Sequence, residues 1–208
     1  MELGKHFFSL VLIVLGYTGQ AMNALTQYIN EISQLDREAT NDLLNDFKTQ
    51  TLGKNDFLLR PGEVCKYFYF IEKGLVKSFS VNENKEFIMA FFEENMMFTE
   101  LDSYQAQKPS KYMLVTLEET SVQYIHKEAI ERHCKKHHSI ETLIRKLFAM
   151  TSACFMQRIS EMLEENAKER YNKFINNYPG LLQRISLGDL AKYVGITQVS
   201  LSRIRAAK

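Results

Sequence analysis

Residues Leu187 to Lys208, LGDLAKYVGITQVSLSRIRAAK, constrain this chain more than any other stretch. Leu187, Leu190, Ala191 and Val194 recur at i, i+3, i+4 and i+7, so one face of a first short helix is apolar. Gly195 follows at once, and a residue without Cβ takes the left-handed conformation that ends a helix and turns the chain. Thr197 is placed to cap a second helix, whose Leu201 and Ile204 point back to the same core. Gln198, Ser202, Arg203 and Arg205 are left facing outward. The spacing predicts a helix-turn-helix whose second helix suits the DNA major groove. An ordinary helical hairpin has the same outline, but small Ala191 at the crossing, Gly195 at the turn and apolar residues at fixed positions beyond it favour the former.

Charge supports this division of the chain. From Asn166 onward, eight cations (Lys168, Arg170, Lys173, Arg184, Lys192, Arg203, Arg205 and Lys208) stand against Glu169 and Asp189, within a chain of net charge +1. A basic end on an acidic body is the footprint of a DNA-binding module, although a solvated charged surface produces the same imbalance.

The three cysteines, Cys65, Cys134 and Cys154, are odd in number and scattered, so they form neither a disulfide framework nor a CxxC metal knuckle. That usage suits a reducing cytoplasm, the expected location. Phe7 to Leu15, FFSLVLIVL, runs against it: the segment resembles an export leader and is too short to span a membrane. Residues 1–21 are therefore set apart as a leader, expected to come from an over-extended reading frame with translation beginning at Met22. A true anchor or leader and a packed extra helix are the alternatives.

Between these ends the hydrophobic period changes twice. Leu25 to Phe47 has helical spacing, with Asp36 as a cap between two helices. Phe57–Leu59, Lys66–Ile71, Leu75–Val81, Phe87–Phe92, Met113–Leu117 and Val122–Ile125 are short aromatic and β-branched runs, separated by turns such as Pro61-Gly62, Lys73-Gly74 and Asn82-Glu83-Asn84. Six or more such runs predict a small β-barrel or sandwich. Past a short helix from Lys127 to about Lys135, Ser139 to about Glu165 reads as one helix with apolar residues along its length. At 1.5 Å per residue it reaches about 40 Å, longer than the barrel can cover. The excess favours pairing with a second copy over burial within the subunit. A further helix, Lys168 to Asn177, stops at Tyr178-Pro179-Gly180. The expected domains are 22–138 (barrel), 139–165 (dimerisation helix) and 166–208 (helix-turn-helix).

This order resembles the Crp/Fnr superfamily of bacterial transcription regulators over about Asn23 to Lys208. Arg60-Pro61-Gly62-Glu63 is similar to the family's first barrel turn, and Phe70-Ile71-Glu72-Lys73-Gly74-Leu75-Val76-Lys77 to its strand-turn-strand. Thr116-Leu117-Glu118-Glu119-Thr120 with Ile125 is similar to the closing strands. Tyr178-Pro179 through Leu190-Ala191 and Gly195-Ile196-Thr197 to Arg205 resembles the DNA-binding end, the most specific of these segments. The resemblance implies an α+β fold: an N-terminal β-roll or jelly-roll sensor domain, a long dimerisation helix and a C-terminal (winged) helix-turn-helix. The short connection from Pro179 to Ser186 leaves little room for a full wing.

The family barrel often binds a cyclic nucleotide through a Phe-Gly-Glu-(Leu/Ile)-Ala cassette followed by an Arg-Ser/Thr pair. The matching stretches here are Phe98-Thr99-Glu100-Leu101-Asp102 and Pro109-Ser110-Lys111-Tyr112. Glu100 is kept, so Glu100, Leu101, Ser110 and Lys111 outline the implied effector pocket. Thr99 replaces the glycine that lets phosphate approach the backbone. Lys111, a mobile point charge, stands where a planar arginine fork would grip phosphate. A response to cyclic AMP is accordingly not expected; another small-molecule effector, or none, is.

The resemblance further implies a homodimer on double-stranded DNA, with RNA polymerase as a further partner. Carried over residue by residue, Gln198, Val199 and Arg203 face bases, while Thr197 and Ser200 sit for phosphate or for capping; Ser202 lies on the same outward face. Val199 replaces a polar reader common in the family. Leu143, Leu147 and Cys154 are the expected dimer contacts. No cofactor is expected. Iron–sulfur sensing would need a cysteine cluster, which the sequence lacks. His133-Cys134-Lys135-Lys136-His137-His138 suggests a metal site, but its two lysines oppose a cation, and no metal is expected. No catalytic motif is present, and an enzyme is not expected. The alternative function is a ligand-sensing or protein-interaction module with a helix-turn-helix remnant that does not bind DNA.

Overall fold

A computed structural model describes residues 23–206, so the leader at 1–21 and Lys208 lie outside the described residues. Two short helices open the fold. Helix α1 (Ala24–Ile32) starts where the Asn23 side chain accepts from the Leu25 N–H at 3.0 Å. Helix α2 (Arg37–Asn45) starts where Asp36 accepts from the Ala39 N–H at 2.8 Å, the expected cap.

Eight strands follow: β1 (Lys48–Leu52), β2 (Phe57–Leu59), β3 (Tyr67–Lys73), β4 (Val76–Asn82), β5 (Lys85–Phe92), β6 (Met97–Phe98), β7 (Met113–Thr116) and β8 (Thr120–His126). They form two antiparallel four-stranded sheets, ordered β1-β8-β3-β6 and β2-β7-β4-β5, the expected jelly-roll. The runs read from sequence correspond to β2, β3, β4, β5, β7 and β8, while β1 and β6 carry no such signal. Strand β1 is KTQTL, exposed at four of five positions, and β6 has two residues. Helix α3 (Leu101–Ala106) interrupts the strands.

Gly74 in the β3–β4 turn has φ +107, and a Cβ there would lie 2.7 Å from the Thr120 Cα and 2.8 Å from the Glu119 carbonyl. Turn β3–β4 therefore packs backbone to backbone on turn β7–β8, which requires glycine on both counts.

Helix α4 (Lys127–Lys136) leads into the long α5 (His138–Glu164), then α6 (Ala167–Asn177), a 3-10 turn at Pro179–Gln183, α7 (Leu187–Val194) and α8 (Gln198–Ala206). Among the described residues no strand follows β8, so the 3-10 turn occupies the connection where a winged fold would place its hairpin. The eight residues from Pro179 to Ser186, between α6 and α7, leave no length for two strands.

Two cores result. The first gathers Phe70, Ile71 and Ile125 of the sheets with Leu25 and Ile29 of α1 and Ile140, Leu143 and Leu147 of α5. The second lies outside the barrel, where Leu75, Ile88 and Phe91 meet Tyr171, Phe174, Leu181, Leu190, Ala191, Val194 and Leu201. Side chains alternate across a strand, and the β4–β5 register pairs Lys77 with Phe91, Phe79 with Ile88 and Val81 with Glu86. That outer face carries the helical end, with α7 packed on β5.

Candidate functional site

The α7–α8 pair is built as its sequence dictates. Ser186 caps α7 by accepting from the Asp189 N–H at 2.9 Å. Gly195 ends it at φ +80, with the Gly195 and Ile196 N–H groups both bonded to the Ala191 carbonyl at 3.0 Å. The Thr197 hydroxyl accepts from the Ser200 N–H at 3.1 Å and contacts the Ser200 hydroxyl at 2.9 Å, so both residues serve the start of α8. Leu201 is fully buried and Ile204 half-buried, which anchors one face. Gln198, Val199, Ser202, Arg203 and Arg205 are exposed on the other, Val199 at 62%. The Gln198 amide oxygen lies over Gly188, 3.8 Å from where a Cβ would stand.

The carbonyls at the end of α7 are gripped by two arginines the sequence did not single out. Arg158 of α5 donates to the Tyr193 carbonyl, and Arg170 of α6 donates to the Val194 carbonyl at 2.9 Å. Met162 of α5 reaches Gly195, its terminal methyl 2.9 Å from a Cβ position there. Helices α5 and α6 thus fix the turn that launches α8.

Four of the cations at this end, Arg170, Lys173, Arg184 and Lys192, are engaged within the subunit. The Arg184 guanidinium makes a fork on Glu94 at 2.8 and 2.8 Å and a further bond to Glu118 at 2.6 Å. Burial alone would raise the Glu94 carboxyl, but Arg184 and the Gly74 N–H outweigh it and hold the group below its ordinary value. Lys192 bonds Glu86 at 2.8 Å, Lys173 pairs with Glu161 and Glu165, and Arg170 serves carbonyls. Lys77 of the barrel, only 9% exposed, bridges Glu86 at 2.5 Å and Asp189 of α7 at 3.0 Å. Lys168, Arg203 and Arg205 have no ion-pair partner among the described residues. Of the engaged cations, Arg184 and Lys192 bind the barrel, while Arg170 and Lys173 tie α6 to α5 and to the end of α7.

The four residues of the implied effector pocket are engaged locally. Glu100, buried, caps α3 by accepting from the Ser103 N–H at 3.0 Å, and Leu101 opens that helix half-buried. Ser110, also buried, closes a turn on Tyr112, accepting from its N–H at 2.9 Å and donating to its carbonyl at 3.1 Å. Exposed Lys111 lies over the Tyr112 ring, 5.1 Å from its centroid. Thr99, in place of the cassette glycine, donates to the Tyr67 carbonyl at 2.8 Å and contacts the Cys65 sulfur at 3.3 Å. Beside it Phe98 stacks on Phe92 at 4.2 Å and on Tyr69 at 5.5 Å, filling the barrel interior with rings.

Helix α5 presents two faces at about 100° per residue. Ile140, Leu143, Leu147, Cys154, Arg158 and Glu161 share the one turned to the rest of the subunit. Of the three dimer contacts expected from sequence, two are taken up within the subunit. Leu143 and Leu147 are buried in the first core, and Cys154, though exposed, lines a cavity of about 190 Å³ with Arg158, Tyr178 and Tyr193. The outward face carries Phe155, Ile159 and Leu163, bordered by Met156, while Ile144 and Phe148 pack half-buried against the first core. Leu163 is 81% exposed, Met156 65% and Ile159 52%.

The histidine-rich segment meets acids of α2 and its C-cap: His137 bonds Asp42 and His133 bonds Asp46, each at 2.8 Å. Glu38, Asp42 and His137 converge within 4.8 Å as a possible cation-ligand set among the described residues. The Lys136 ammonium already stands between the two carboxylates, at 2.9 Å from Glu38 and 2.7 Å from Asp42. Among the described residues, no helix is long and apolar enough to cross a membrane.

Residues 49–137 match the family model of the cyclic nucleotide-binding domain. No curated protein matches the chain by sequence. Among solved structures it is similar to the c-di-GMP responsive global regulator CLP of Xanthomonas campestris, with 14% identity over 83% of this chain and 91% of that one, at a TM-score of 0.67. FixK2 of Bradyrhizobium japonicum is 18% identical over 77% and 83% of the two chains, at a TM-score of 0.65. A transcriptional regulator described as of the Crp/Fnr family from Eubacterium rectale is 14% identical over 83% of each, also at 0.65. Residues 49–137 thus match the cyclic nucleotide-binding domain, in a chain whose fold is similar to that of Crp/Fnr-type regulators.

Proposed function

We propose that this chain is a homodimeric transcription regulator that binds DNA sequence-specifically through α8 and does not respond to cyclic AMP. The observation that carries the reading is the state of α8: one face is anchored by Leu201, and the other is exposed with Arg203 and Arg205 unpaired. A free arginine on such a face pairs bidentately with guanine, and Gln198 with adenine. Thr197 and Ser200 are occupied with each other as caps at the start of α8, and a helix N-terminus offers its remaining N–H groups to phosphate.

Dimerisation is supported by the outward stripe of α5, since an apolar row of this length on a free helix is stabilised by a second copy. Paired α5 helices would place two α8 helices on one side of the assembly, suited to half-sites about 34 Å apart. Against a cyclic AMP response stand Glu100 and Ser110, already hydrogen-bonded within their own loop, the missing arginine, and the ring stack beneath Thr99.

Selection of genomic fragments on the purified protein, followed by gel shift with the gene's own upstream DNA, tests the reading. Enrichment of a roughly palindromic site is expected; failure to enrich any fragment overturns it. Arg203→Ala should cost about 1–3 kcal/mol and relax preference at one base pair per half-site. Uniform weakening across sequences would assign Arg203 to the phosphate backbone instead.

A second reading, a sensing or protein-interaction module, is favoured by one observation. Arg170, Lys173, Arg184 and Lys192 are bound internally, leaving few free cations for a polyanion. Binding of all genomic fragments no better than a scrambled duplex is its expected outcome.

A further inference from the structure

We propose that Glu86, Glu94 and Glu118 form an anionic latch that holds Arg184 and Lys192 of the helical end, and that DNA phosphates compete with these carboxylates for the same two cations. The second half rests on the DNA-binding reading; the first does not.

The acceptors are built into the barrel rather than gathered by the cations. One Glu94 oxygen takes the Gly74 N–H at 2.7 Å, in the turn where only glycine fits. Glu86 is held by Lys77 from within the same hairpin. Glu118 comes from the turn between β7 and β8, which packs on that of Gly74. Three rigid elements therefore aim carboxylates at one side of the helical end, much as successive phosphates would.

The cations are reachable from solvent, with side chains 24% exposed for Arg184 and 41% for Lys192. They sit at either end of α7, before its start and within its last turn. The first helix of a helix-turn-helix crosses the DNA backbone, so cations on it meet phosphate. Arg184 spends four N–H contacts on the two glutamates, and its fork suits phosphate as well as carboxylate. The apolar contact of Ile88 and Phe91 with α7 sets the resting position, and the charged contacts make it sensitive to ionic strength. The reversed pair Lys77–Asp189 is closed to phosphate and marks the fixed side of the joint.

The test uses the full chain, wild type against E86Q/E94Q/E118Q. An E31Q/E128Q/E131Q variant loses the same charge from α1 and α4, away from the helical end. Amide exchange without DNA reads the latch: α7 should exchange about tenfold faster in the first variant, and added salt should speed exchange in wild type but not in that variant. Unchanged exchange in α7 overturns the latch. Anisotropy with a non-specific duplex from 50 to 300 mM salt reads the competition. The slope of log K against log salt should steepen by about 2, near 0.9 for each freed cation. An unchanged slope, or an equal change in the control variant, overturns the competition. Faster exchange with no duplex bound by any variant overturns the DNA-binding reading and the competition, and leaves the latch standing.

Discussion

The Arg158 guanidinium lies 4.0 Å over the centroid of the Tyr193 ring and donates to the carbonyl of the same residue. One side chain on α5 thus holds both the ring and the backbone at the end of α7. A cation at a helix C-terminus also meets the negative end of the helix dipole.

Arg158→Ala removes the stack and the charged hydrogen bond together, each worth about 1–2 kcal/mol. A loss of about 2–4 kcal/mol in chemical denaturation is expected on that basis. Arg158→Lys restores the charge but not the planar stack and should fall between the two. A loss under about 0.5 kcal/mol for the alanine variant would show the clamp to be ornamental.

The two faces of α5 separate assembly from folding. Met156→Asp changes an exposed residue and should yield a monomer in light scattering with its thermal midpoint barely moved. Leu147→Asp places a carboxylate in the first core and should cost at least 3 kcal/mol, roughly, unfolding the subunit. A Met156→Asp protein that keeps the mass of the unmodified assembly would remove this face from the contact.

Isothermal titration of cyclic AMP or cyclic GMP should give no binding in the micromolar range. Thr99→Gly, which restores the cassette glycine, should not create it, because Lys111 still lacks the arginine fork. That substitution should instead cost about 1 kcal/mol through the lost bond to the Tyr67 carbonyl. Micromolar binding by either protein would contradict the reading of the pocket.

Acid should weaken the α2–α4 contact in a defined window. Hydrogen bonds from Lys136 and then His137 lower the Asp42 carboxyl to about 2. A carboxyl depressed in the folded state stabilises it above the unfolded value, about 3.9, and that contribution disappears as pH falls towards 2. Asp42→Asn should flatten the fall of the thermal midpoint between about pH 4 and 2. A fall as steep as in the unmodified protein would place the acid sensitivity elsewhere.

Sequence made the regular elements legible wherever a period was strong. Asp36 between two helices, the aromatic runs of β3 to β5 and Gly195 in the helical end all behave as their spacing predicts. Strand β1 escaped because KTQTL is polar and exposed, held by its ladder to β8 rather than by its own pattern. Helix α3 escaped because it is six residues long and capped by Glu100, a residue with a competing functional reading. Residue types alone could not distinguish the two faces of α5, since Leu147 and Ile159 look equivalent until packing assigns one to the core. Arg184 was countable as a charge, yet its partners lie 66 and 90 positions away in the chain. Long-range pairing of that kind has no local signature.

Phe91 and Phe92 are neighbours in β5, and the pleat sends their rings to opposite sides. Phe92 stacks on Phe98 inside the barrel, while Phe91 touches Phe174 and Tyr193 outside it. The strand is a wall one residue thick between the interior and the helices that carry α8. Any tilt of that wall from within is delivered to Tyr193, and so to the Arg158 grip, across a single peptide bond and without a relay.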